Sequence, residues 1–253
     1  MISNPETGHA PNVANFGKLV LAIGSFGNFY NPAFITIKES NLQDMLTAAQ
    51  ENLTLVNTAL INYKLAVDSR EDVYSGLSSI TTRILAAIKS SGSSELNVET
   101  AKSIIRKIQG RRLSPKKAKT KSDVPTTTDP VSKTDDNEPT QISASQTSYA
   151  NLANNFDALL QLLPLIQEYK PNEGTLNPTD LRAYCNELKM KNFAVDTLKA
   201  SLDTARLNRN YLMYNLHSGL VVVSLEVKNY VKAAFGASSP QFKQISGISF
   251  RSY

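Results

Sequence analysis

The apolar positions of this chain form two long helical stripes. In residues 42–70, Leu42, Leu46, Ala49, Leu53, Val56, Leu60, Tyr63 and Val67 alternate spacings of four and three. That spacing keeps them on one seam of an α-helix, the pattern by which helices pack side by side. In residues 181–209, Leu181, Leu188, Val195 and Leu202 recur at a seven-residue interval, with Tyr184, Leu198 and Ala205 at the alternate positions. The first stripe predicts a helix over about residues 41–72, capped by Ser40 or Asn41 and roughly 45–50 Å long at ~1.5 Å per residue. Shorter helical patterns occupy 13–23 (Phe16, Leu19, Val20 and Ile23 on one face), 77–90 (Ile80, Ile84, Leu85, Ile88) and 98–108 (Ala101, Ile104, Ile105, Ile108). Gly110 is placed to end the last of these as a left-handed cap. Phe34-Ile35-Thr36-Ile37 reads as extended.

The two stripes belong to a longer correspondence. Asn15-Phe16-x-x-Leu19 is answered by Asn155-Phe156-x-x-Leu159, and Tyr30-x-Pro32 by Tyr169-x-Pro171. Val56-Asn57-Thr58 is answered by Val195-Asp196-Thr197, and Arg70 by Arg209. After the long helix, Ser75-Gly76-Leu77 is answered by Ser218-Gly219-Leu220 with four residues inserted, and Ile108-Gln109-Gly110 by Ile245-Ser246-Gly247. Ordered matches of this kind point to an internal duplication. The expected fold is all-α: two helical hairpins, each with too little core to stand alone, packed as an antiparallel four-helix-type bundle. The expected organisation is a flexible N-terminus at 1–12, a first helical repeat at 13–110, a charged disordered linker at 111–147 and a second repeat at 148–253. Pairing of each hairpin with a second chain stays open. Asn192 and Lys199 stand where the first stripe has Leu53 and Leu60, and are expected to face solvent.

Composition changes this picture mainly at the linker. Of 253 residues, 41% are hydrophobic and only 11 are Gly, which suits long helices with a polar connection. Residues 111–147 have too few large apolar side chains to offset the entropy of ordering them. The net charge of +5 is unevenly placed. Arg106, Lys107, Arg111, Arg112, Lys116, Lys117, Lys119 and Lys121 cluster together, and acidic residues follow from Asp123 to Glu138. The basic cluster is the candidate contact for an anionic partner, nucleic acid included, through counterion release. It has no interleaved aromatic residue to stack on bases.

Catalytic and metal chemistry finds no constellation. The only histidines, His9 and His217, lack a second ligand at metal spacing, and no Glu-x-x-His pair supports a di-iron bundle site. The single cysteine, Cys185, lies on the second seam as a small core residue. Gly24-x-x-Gly27 lacks the Lys-Ser/Thr of a phosphate loop and reads as a turn that lets Phe26, Phe29 and Tyr30 pack. Arg70 and Arg209 are either paired anion contacts or helix-end arginines packing their stems over the bundle. No catalytic, cofactor-binding or metal residue is assigned, and no cofactor. No apolar run reaches the length of a membrane span, and no secretion signal is visible, so a cytoplasmic protein is expected with signal-less export left open.

Gly8-His9-Ala10-x-Asn12-Val13-Ala14-Asn15-Phe16, Tyr30-Asn31-Pro32, Arg106 to Arg112, and Tyr230-Val231-Lys232 through Phe235 to Gln244 resemble a Bacteroidota family of duplicated helical-hairpin proteins. The resemblance implies a bacterial, helical protein and brings no activity or cofactor. A strong architecture with no convergent polar cluster makes the expected function non-enzymatic: a structural, scaffold or protein-interaction protein whose partner is another protein or a second copy. The alternative is nucleic-acid association through 111–121. Membrane activity of an apolar stretch such as 219–223 is a third, weaker expectation.

Overall fold

A computed structural model describes residues 8–111 and 147–252. All its regular elements are helical, with no strand among the described residues. The helices are α1 (His9–Gly24), α2 (Glu39–Ser75), α3 (Leu77–Ser90), α4 (Glu95–Ile108), α5 (Tyr149–Leu162), α6 (Pro178–Tyr214), α7 (Leu220–Phe235) and α8 (Pro240–Ser246). The stripes read from the sequence are the buried seams of α2 and α6. Leu42, Ala49, Val56, Leu181, Leu188, Val195 and Leu202 are buried, and the intervening positions are half-buried.

Local chemistry sets the helix ends. Ser94, Ser148 and Ser239 each accept the backbone N–H three residues on, supplying N-caps for α4, α5 and α8. Asn177 Oδ1 accepts from Thr179 N at 2.9 Å, and Pro178 opens α6 where its missing N–H costs nothing. Gly110, at φ +65°, closes α4 as expected: its N–H goes to Lys107 O and that of Arg111 to Arg106 O. Asn41 differs from expectation. It lies inside α2 and donates its side-chain amide to Ile35 O at 2.6 Å rather than capping.

The stretch expected to be extended, 34–37, is instead a 3₁₀ turn at Ile35–Ile37. The buried Tyr30 hydroxyl fixes it, donating to Ile37 O at 2.6 Å, and Ile37 turns into the core. Tyr169 donates to Leu176 O at 2.9 Å across the turn Gly174–Leu176 in the same way. Both helices that follow are 37 residues long.

Two compact units divide the chain: Met1–Asp68 with Ala194–Tyr253, and Ser69–Phe193. The compact units are not the two sequence repeats: each draws helices from both halves. The first unit buries Phe16, Leu19 and Ile23 of α1 with Leu220, Val223, Val227 and Val231 of α7. The second buries Ile84 and Ile88 of α3, Ala101 and Ile105 of α4, Phe156 and Leu159 of α5, and Leu181, Cys185 and Leu188 of α6. Each core thus joins the front of one sequence half to the back of the other. The seams of α2 and α6 are single stripes, whereas α1 and α5 bring fully buried Phe, Leu and Ile side chains that demand partners on more than one helix.

The N-terminal boundary also moves. Residues 8–12 were expected to be flexible with the rest of 1–12, yet α1 begins at His9, and His9 and Asn12 are buried. Asn12 is held by the far end of the chain, a contact that local periodicity does not report.

Candidate interaction surface

The basic cluster is only partly within the described residues. Arg106, half-buried, and Lys107, exposed, occupy the last turn of α4, where cations are favoured by the free carbonyls of the helix end. Arg111 follows, exposed, just past the Gly110 cap. Arg112, Lys116, Lys117, Lys119 and Lys121 lie outside the described residues, as does most of the 111–147 segment. The structure therefore brings three of the eight basic residues together at one helix end.

The paired arginines take up packing roles. The Arg70 guanidinium stacks on the Tyr149 ring, 4.0 Å from its centroid, a cation–π contact. Its Nε is buried without a hydrogen-bond partner among the described residues. Arg209 is buried at 4% exposure and donates to Asn210 Oδ1.

Asn192 departs from the solvent-facing expectation. It donates to the Tyr74 hydroxyl at 2.8 Å, Tyr74 donates to Tyr149 O at 2.9 Å, and Asn192 Oδ1 is buried. This polar group on an apolar seam is answered by a tyrosine, which the sequence placed in no obvious relation to it. Lys199 stays at the surface in a one-turn ion pair with Asp203. Of the aromatic residues at 26–30, Phe26 and Tyr30 pack inward while Phe29 is exposed.

Among the described residues, titratable groups form local surface pairs. Burial pushes the Tyr169 and Tyr184 phenols up to about 12 and raises the Cys185 thiol; Tyr169 and Cys185 lie in the core and Tyr184 is half-buried against it. Lys189, then Arg182, holds the Asp157 carboxyl below the usual carboxylate range. No three His, Cys, Asp or Glu side chains are grouped to hold a metal ion among the described residues. An open cleft of about 650 Å³ beside α3 mixes Arg83, Glu168, Lys170 and Glu173, with Arg83 committed to Thr175 Oγ1. Its charges are of both signs.

A second hollow is different. Within the first unit, a groove of about 670 Å³ runs between α2 and α6, lined by Asn52, Leu55 and Ala59 on one side and by Thr197, Ala200 and Thr204 among others on the other. On α6, Thr197, Ala200, Thr204, Leu207 and Tyr211 follow the spacing 3, 4, 3, 4, a second seam on the face that the core leaves exposed. Leu207 and Tyr211 are both 68% exposed and Leu55 is 59% exposed. Beside this seam, Asp196, Lys199, Asp203 and Arg206 alternate in sign along the helix. The sequence carried this second seam too, but the stronger Leu/Val stripe of α6 masked it.

These features define a class: an all-α protein with a helix-lined apolar groove. No helix is long and apolar enough to cross a membrane among the described residues. Comparison with family models, curated proteins and solved structures finds no match to the chain.

Proposed function

We propose that this is a non-enzymatic structural or interaction protein, and that the α2–α6 groove of the first unit is where it assembles with a second copy. The observation that carries the reading is the second seam of α6. Small residues at Thr197, Ala200 and Thr204 let another helix approach closely, and Leu207 and Tyr211 supply apolar area next to them. The charged row selects the orientation. Run antiparallel to itself, it sets Asp196 beside Arg206 of the other copy and Lys199 beside Asp203; run parallel, it sets like charge on like.

Light scattering on the eluting protein tests this. The expected mass at about 100 µM is a multiple of the 27.7 kDa chain, and Ala200→Glu or Leu207→Glu returns it to the monomer with helicity unchanged. A wild-type monomer that captures no partner would overturn the reading.

The duplication belongs to the same proposal. Its support is that the Tyr30–Ile37 and Tyr169–Leu176 bonds, and the helices that follow them, recur at one offset. A second reading, nucleic-acid association, is favoured by the grouping of Arg106, Lys107 and Arg111 at one helix end. It expects salt-sensitive RNA or DNA retention that is lost when these residues and 112–121 are neutralised; retention unchanged by the neutralisation ends it.

A further inference from the structure

The last described residues do not trail into solvent. After the Gly247 turn, residues 248–251 leave α8 as a strip without helical structure that lies against α1 and α7. Along it the side chains alternate: Ile248 and Phe250 turn in and are half-buried against the apolar core, while Ser249 and Arg251 are exposed. That is the period of an extended chain. What holds the strip is mostly its backbone. Asn12, 1% exposed on α1, makes a two-way pair with Arg251: its Nδ2 donates to Arg251 O at 2.9 Å, and its Oδ1 accepts from Arg251 N at 2.9 Å. One helical turn on, Asn15 Nδ2 donates to Ser249 O at 2.8 Å. From α7, Lys228 Nζ donates to Ser246 O at 3.2 Å and also to Ile248 O, and it faces the Phe250 ring. Burial lowers the Lys228 pKa, so its site is a desolvated one.

A strip held through its backbone by side chains, with pockets for alternate apolar residues, is how an extended peptide is bound. We propose that the α1–α7 groove is a site for extended peptides of the form apolar-x-apolar, that its resident ligand is the chain's own segment 248–251, and that the same segment of a second copy can take its place. The backbone bonds accept any residue between the apolar positions, and Ile248 and Phe250 set the register. In cis the segment is present at roughly millimolar effective concentration, so a free peptide enters only once the resident strip is disabled. This site shares no described residue with the α2–α6 groove and stands whether or not that groove assembles copies.

The test uses the full chain and a fluorescent peptide of residues 247–252. In the variant Ile248→Asp/Phe250→Asp the resident strip no longer fits. That chain is expected to bind the peptide saturably, and the wild-type chain at least about tenfold more weakly. Adding Asn12→Ala is expected to weaken binding by roughly tenfold, from the loss of two buried bonds. A peptide with its apolar residues moved by one position is expected not to bind. Absence of saturable binding to a strip-disabled chain that keeps its helicity overturns the site, as does binding indifferent to Asn12 and Asn15. If the double variant fails to fold, amide exchange of the wild-type chain decides instead. The Arg251 N–H must exchange through a local opening, much faster than Val227 or Val231 of α7. Exchange as slow as those core amides means the strip leaves only on global unfolding and is no replaceable ligand.

Discussion

Single residues carry the turn between α6 and α7. Asn215 Oδ1 accepts from the backbone of His217 and Ser218 and from the Ser218 hydroxyl, so one side chain closes the four-residue insertion that distinguishes this turn from Gly76. Gly219 is pressed against the same residue: a Cβ there would meet the backbone N and O of Asn215 at 2.6 Å. Its φ of −72° is ordinary, so the constraint is space and not conformation. Gly219→Ala is expected to cost about 2–3 kcal/mol, a fall in Tm of roughly 5–10 °C by calorimetry. Asn215→Ala is expected to cost about 1 kcal/mol, since only solvent-near bonds are lost. A Gly219→Ala protein with unchanged Tm would show that the turn relaxes freely. Asp157 gives a pH signature at the same scale. Its folded-state pKa is lowered, first by the Lys189 hydrogen bond and then by Arg182. A carboxylate whose pKa is depressed by folding adds stability above its unfolded pKa of roughly 4, and that stability is lost as pH falls through the folded value. Denaturation from pH 5 down to pH 2 is therefore expected to be less steep in Asp157→Asn than in wild type. Equal slopes would mean the pair is fully screened.

At the scale of elements, the two tyrosine-locked turns ask for a paired experiment. Tyr30 and Tyr169 are buried, and each donates to a carbonyl seven residues on, at the entry of a 37-residue helix. Burial raises both phenols, so the hydroxyl remains a donor through neutral and mildly basic pH. Tyr30→Phe and Tyr169→Phe are each expected to cost about 1–2 kcal/mol, the penalty of a buried carbonyl left without its partner. The two values should agree within about 0.5 kcal/mol. Urea midpoints measure them, and a large inequality would separate turns that look alike.

Element scale is also where the sequence spoke most clearly. The spacings of Leu42 to Val67 and Leu181 to Ala205 located both long helices, and Gly110 and the Ser90-to-Ser94 turn marked where shorter ones stop. What stayed illegible depended on distant partners. Nothing near Phe34–Ile37 reveals that Tyr30 will reach over to Ile37 O and wind it into a 3₁₀ turn. Asn12 sits in a polar run that reads as loose chain, and its partner lies 239 residues away. Asn192 looked like a surface residue because its answer, Tyr74, is 118 residues off.

For the whole molecule, the same resemblance between halves that made the elements readable hid their pairing. Because α1 and α5, and α7 and α3, carry like apolar faces, periodicity could not say whether each half closes on itself or on the other. The resulting partition has a thermodynamic consequence. Phe16 and Phe156 are both fully buried, one in each core. Phe→Ala at either position deletes a large core side chain, which costs about 3–5 kcal/mol. Two separate clusters imply that the loss is felt first where it is made. Native-state amide exchange on Phe16→Ala is expected to lower protection of α1, α7 and α8 by about that amount, with a smaller effect on α3, α4 and α5. Phe156→Ala is expected to reverse the order. Because α2 contributes to one unit before Asp68 and to the other after it, its amides should report both changes, each in its own segment. Equal loss of protection across all helices in both variants would show one cooperative fold, and the division into two cores would then have no energetic meaning.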